Sequence, residues 1–300
     1  MIGSIKGFGQ FISVERGFML LMISIGATFL IGKNVTWAQA IYLGGLAFCG
    51  WSAVDSINNI CDADLDAKSD PSRSEYTRRL GRRGLYISVL FSVLSVCLGV
   101  ITRIPLVIVL ILAGLLAGVL YSVSPFRLRQ TLYKPLVNFS VGAVPVLITA
   151  AFFNIFSVEV WVLMLLIGAT TAVNSLMEDL ADYSSDLNTH SRTMLIVLGL
   201  KRGLHATVVL GYCLVPLMVL VGALFHLNLL YYLVLAALMA CMSLRLILER
   251  SVLFGHFEGK TEPLLNLGTL LARDFVIVAI IQTTNLMLSG YLRYYSPLLI

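Results

Sequence analysis

Nine stretches of about 20 mainly apolar residues divide this 300-residue sequence, near 17–33, 38–60, 84–102, 104–121, 132–153, 160–180, 203–225, 227–247 and 265–290. A helix keeps its backbone hydrogen bonds within itself, and about 20 residues carry it across a hydrocarbon core of roughly 30 Å. Hydrophobic residues make up 58% of the chain and charged residues 12%, about half the charge of a soluble domain. Most of the surface must therefore face lipid. The sequence predicts an all-α polytopic membrane protein, nine transmembrane helices in one bundle around a central cavity, with residues 1–300 forming a single domain.

Lysine and arginine orient the bundle. Of 21 such residues, 18 fall in the N-terminal segment and at or after spans two, four, six and eight, against Lys33, Arg103 and Arg293 on the other side. The positive-inside bias then places the N-terminus and these four regions in the cytoplasm. The net charge of +5 is read as this topology signal together with anion contacts, so no nucleic-acid partner is expected. Five cysteines stand singly with no CxxC pair; no disulfide framework or thiolate metal site follows, and apolar packing is their expected role.

Two polar motifs interrupt the pattern. "DSINNICDADLDAKSDPSR" (55–73) closes span two, and "NSLMEDLADYSSDLNTHSRT" (174–193) closes span six. Asn58, Asp62 and Asp66 match Glu178, Asp182 and Asp186 at an offset of 120 residues, and Arg73 matches Arg192 at 119. This reads as a diverged internal repeat, about 38–102 and 160–225. Residues four apart share one helix face, so each set forms a ridge of like charge that a cation would stabilise. The ridges carry oxygen donors and neither His nor Cys, which favours Mg²⁺, with Mn²⁺ as the alternative. Two ridges facing each other would clamp a diphosphate between two metal ions.

The remaining acids divide by helical phase. Asp64 leaves the ridge and Asp70 precedes Pro71, so both read as solvated loop charges; Asp55 and Asp179 fit either role. Arg73, Arg192 and the loop "YSVSPFRLRQTLYK", with Arg127, Arg129 and Lys134, supply cations for phosphate oxygens. Arg78, Arg79, Arg82 and Arg83 read as topology charges. Of four histidines without ligand spacing, His190 alone lies near this chemistry.

These motifs resemble those of the UbiA-type intramembrane prenyltransferases. "NNICDADLDAKSDPSR" is similar to their first aspartate-rich motif, "DLADYSSDLNTHSRTMLIVLG" to the second, and "YSVSPFRLR" to the Tyr-Ser…Pro-x-Arg/Lys segment between them. The resemblance implies an enzyme that moves a polyprenyl group from its diphosphate to a lipophilic acceptor, using Mg²⁺. It implies Asn58, Asp62, Asp66, Asp182 and Asp186 as metal holders, with Glu178 on the same ridge. It implies Arg73, Arg127, Arg129 and Arg192 as diphosphate contacts, and Tyr121 near the reacting carbon. There are departures: the usual Asn-Asp pair is Asn58-Asn59, the usual Arg-Pro is Arg73-Ser74, and "VERG" stands where a basic residue followed by Pro is common.

The chemistry suits an allylic diphosphate, whose ionisation needs its departing pyrophosphate neutralised and water kept from the carbocation. Two rivals use the same features: an ion-coupled secondary transporter, whose acids usually sit at the midplane on broken helices, and a prenyl diphosphate phosphatase with water as acceptor. A CDP-alcohol phosphotransferase would need a D-G-x-x-A-R core, and Ala63 and Asp64 follow Asp62 instead.

Overall fold

The computed structural model describes residues 2–65, 67, 70–189, 191–255 and 262–295. The chain runs through α1 (Ile2–Phe11), α2 (Val14–Ile31), α3 (Trp37–Asp62), α4 (Pro71–Leu80), α5 (Arg82–Ile101), α6 (Pro105–Ser122), a 3-10 turn (Leu128–Gln130), α7 (Lys134–Phe153), α8 (Val158–Asn188), α9 (Met194–Leu198), α10 (Leu200–Leu224), α11 (Leu229–Leu248), α12 (Arg250–Phe254) and α13 (Glu262–Tyr295). Among the described residues there is no strand, and α2, α3, α5, α6, α7, α8, α10, α11 and α13 are each long and apolar enough to cross a membrane.

Each of the nine expected spans corresponds to one of these helices. Two differences matter for function. Helix α8 continues to Asn188, so all three acids of the second ridge, Glu178, Asp182 and Asp186, are helical. Pro71 does not break a helix but opens one: Asp70 caps α4 by accepting from the Arg73 backbone N–H at 3.1 Å, with Pro71 at the first helical position.

Helices α5 and α6 turn Leu85, Val89, Leu90, Val93, Val109, Leu112 and Leu116 outward, which is affordable in lipid and not in water. The five cysteines are free, and four of them (Cys61, Cys97, Cys213 and Cys241) lie exposed on helix surfaces instead of packed inside. Periodicity cannot separate a lipid-facing cysteine from a core one.

The described chain groups into two compact units. The first comprises Met1–Leu128 with Ala143–Val160, the second Arg129–Gly142 with Trp161–Ile300. In the first, Leu43, Leu46, Val107, Ile111, Ile148 and Ala151 form a buried apolar cluster. Gly118 of α6 lies against Val54 of α3, where an added Cβ would fall 2.4 Å from the valine methyls. In the second, the buried Tyr231 donates to the Met218 carbonyl at 2.9 Å, Asn285 donates to the Tyr231 carbonyl at 3.1 Å, and Arg245 pairs with Asp274 at 2.9 Å.

Both acidic motifs lead, through a short helix, to a glycine that opens the next long helix. Gly81 precedes α5 with φ 50° and Gly199 precedes α10 with φ 77°. At these angles an L side chain is strained, so glycine is required by backbone geometry.

Candidate active site

The first motif sits on the last turns of α3, in the first unit. Asp62 is the final helical residue and fully buried, and its carboxylate meets the Arg127 guanidinium at 2.9 Å. The same guanidinium nitrogen donates to the Cys61 carbonyl at 3.4 Å. One turn back, Asn58 accepts from Ser122 at 3.3 Å, and Tyr121 precedes that serine on the last turn of α6. Helix α3, the end of α6 and the following loop thus bring Asn58, Asp62 and Arg127 together. Asp66 and His190 lie outside the described residues.

Asp64 and Asp70 behave as solvated charges. Asp64 points outward to Arg78 at 2.8 Å, and Asp70 caps α4 with the Arg73 Nε at 3.6 Å from its second oxygen. Arg73 therefore stands on the first turn of α4, half-buried, beside the cap that orients it.

Beneath Asn58 lies a network that sequence reasoning missed. Asn59 is buried and donates to the Phe11 carbonyl at 2.8 Å and to Asp55 at 3.1 Å. Ser13 donates to the same Asp55 oxygen. A carboxylate at position 59 has no N–H and could make neither bond. The missing acid of the first motif is thus a donor that ties the end of α1 to α3.

The second motif lies on α8, in the second unit. Glu178 accepts from Asn174 at 3.0 Å, extending the ridge one turn backward. Asp182 is exposed, with Lys134 and Arg129 within electrostatic reach. Asp186 accepts from Thr193 at 3.3 Å. The Arg192 backbone N–H donates to the Gln130 carbonyl at 2.8 Å, holding the exposed Arg192 beside the turn that carries Arg129. Lys134 is not presented outward as a phosphate contact would be; it is buried on the Asp179 carboxylate. Asn174 was legible as a further four-residue step, whereas the Lys134–Asp179 pairing was not.

The donors suit a hard cation. Every candidate on both ridges is an oxygen, and the buried Asn174 Oδ1, one turn before Glu178 on α8, makes no hydrogen bond. Among the described residues no three His, Cys, Asp or Glu side chains converge into a closed cage. Magnesium needs none, since it takes one or two carboxylates and completes its shell with waters and phosphate oxygens.

The UbiA prenyltransferase family model matches residues 19–252, a range that includes both motifs and the loop between them. The chain belongs to this family. No curated protein matches its sequence. The fold of this UbiA family member is similar to that of a digeranylgeranylglyceryl phosphate synthase, at 17% identity over 96% of this chain and 98% of that one, with a TM-score of 0.66. It is also similar to a UbiA homolog from Archaeoglobus fulgidus bound to GPP and Mg²⁺, at 16% identity over 92% and 99% of the two chains, TM-score 0.64. A UbiA homolog from Aeropyrum pernix K1 matches at 17% identity over 89% and 98%, TM-score 0.61. As a UbiA family member the chain is a multi-pass membrane protein of the prenyltransferase class.

Proposed function

We propose that this protein transfers a polyprenyl group from a prenyl diphosphate to a lipophilic acceptor in the bilayer and releases pyrophosphate. The observation that carries this reading is the buried Asp62 carboxylate ion-paired with the Arg127 guanidinium at the end of a long apolar helix, with Arg192, just past the second motif, held beside the turn that carries Arg129. Coupling ions need carboxylates alone, whereas a diphosphate needs both signs. The similar fold of homologs bound to GPP or to DMAPP with Mg²⁺ supports the same reading.

Asn58, Asp62 and Asp66 would hold one Mg²⁺, and Glu178, Asp182 and Asp186 a second. When bound, the ions neutralise diphosphate oxygens as Lewis acids, and Mn²⁺ has the same ligand preference. Arg73, Arg127, Arg129 and Arg192 add charge-assisted hydrogen bonds to the departing pyrophosphate, stronger as its charge grows. The apolar helices keep water from the allylic cation, and Tyr121 stands at the end of α6 to face it. By the positive-inside bias of the basic loops, this chemistry would lie at the cytoplasmic surface.

The test is pyrophosphate release from labelled prenyl diphosphates, with and without Mg²⁺, against a panel of ring and lipid acceptors. Asp62→Asn and Asp182→Asn should each abolish Mg²⁺-dependent release while the protein still folds. Undiminished turnover in both would refute the metal assignment, and pyrophosphate release with no prenylated product would redirect the reading to a phosphatase.

A further inference from the structure

Helices α7 and α8 meet along a polar seam within the second unit. Lys134 pairs with Asp179. One turn on, Asn138 donates to Ser175 at 3.1 Å while its carbonyl accepts from Thr171 at 2.7 Å. One turn further, Gly142 lies so close to α8 that an added Cβ would fall 2.6 Å from the Thr171 hydroxyl and 2.7 Å from the Ile167 carbonyl. Each forward step of four residues on α7 is matched by a backward step of four on α8, the register of two antiparallel helices in contact.

We infer that this seam is a register lock for the second acidic motif, and that Lys134 and Asp179 are positioning residues, not diphosphate or metal contacts. Lys134 is 9% exposed and Asp179 1%, so ammonium and carboxylate are buried on each other. Glu178 and Asp182 flank Asp179 by one and three residues on α8. A rotation or slip of α8 that parted the pair would carry both with it, and misplacement by about 1 Å costs on the order of a hundredfold in a reaction that depends on alignment. Small side chains at Gly142 and Ser175 permit the close approach; the charged pair at the motif end admits one register.

The inference rests on the prenyltransferase reading for its catalytic readout, and a double-mutant cycle separates the two. Lys134→Met or Asp179→Leu leaves one buried charge behind, whereas the double variant replaces the pair by apolar residues, often a neutral exchange. Each single variant should lower Mg²⁺-dependent pyrophosphate release by about tenfold or more and raise the Mg²⁺ concentration for half-maximal rate, and the double should recover most of both losses. Gly142→Ala, which displaces the seam without touching a charge, should also raise the Mg²⁺ requirement. A raised KM for the prenyl diphosphate in Lys134→Met that persists in the double, or single losses that multiply, overturns the inference, as does an unchanged Mg²⁺ requirement in Gly142→Ala. If the native protein releases no pyrophosphate, the functional reading fails alone. The cycle is then decided by melting temperature and by hydrogen exchange along α8: coupled changes uphold the lock and independent ones overturn it.

Discussion

Asn59→Asp restores the acid that many UbiA-type first motifs carry, and the structure gives reason to expect harm from it. Asn59 is 2% exposed and Asp55 5%. The substitution removes a donor 3.1 Å from the Asp55 carboxylate and another 2.8 Å from the Phe11 carbonyl. A hydrogen bond to a charged acceptor contributes about 1.5–3 kcal/mol and one to a neutral carbonyl about 1 kcal/mol. Oxygens now facing oxygens add repulsion, so a loss of about 4 kcal/mol is a fair order of magnitude. At roughly 2–4 °C per kcal/mol for a chain of more than 150 residues, the melting temperature should fall by on the order of 10 °C. The assay is thermal unfolding in detergent, with Asp55→Asn/Asn59→Asp as the cross-check. The double variant reverses donor and acceptor between the two positions and should regain most of the loss, all but about 1 kcal/mol, because the Phe11 contact stays broken. Asn59→Asp melting with the native protein and gaining Mg²⁺ affinity would refute the reasoning and show position 59 to be a vacant ligand position.

Arg127→Ala removes the guanidinium from a fully buried carboxylate; such a loss costs about 3–5 kcal/mol in a closed interior, and nearer 2 kcal/mol here because Arg127 is 30% exposed. Mg²⁺ should therefore raise the melting temperature of Arg127→Ala more than that of the native protein, and equal rises would separate Asp62 from metal binding. Gly81→Ala and Gly199→Ala should each cost about 1–3 kcal/mol from backbone strain alone, since an added Cβ meets open space at Gly199 and nothing nearer than 3.9 Å at Gly81; denaturant unfolding with wild-type stability would contradict that.

The spans were legible because lipid exposure needs continuous apolar runs, and the motifs because a four-residue step survives wherever the helix continues. Helix α8 continues through Asp186, and Asn174 could have been added to its ridge on the same rule. The polar helix α4 is not legible as a helix, because Asp70-Pro71 signals a stop as readily as a cap. The partners of buried polar groups were not legible either. Nothing near Asn59 in sequence announces the Phe11 carbonyl 48 residues away, and nothing near Lys134 announces its buried acid partner 45 residues on. Charge can be read from a sequence, but which opposite charge answers it depends on helix pairing.

The division of the chain into two units also limits how the protein can be taken apart. The polypeptide passes between units at residues 128–129, 142–143 and 160–161, so one helical hairpin, α7 and α8, has its tip in the first unit and its arms in the second. A fragment that stops before residue 129 lacks the stretch from 143 to 160 that completes its own packing. The 120-residue spacing of the two acidic motifs thus invites a simple bisection that the connectivity forbids. Split versions or half-for-half chimeras of this enzyme would have to exchange the hairpin tip along with the first unit, by three junctions instead of one.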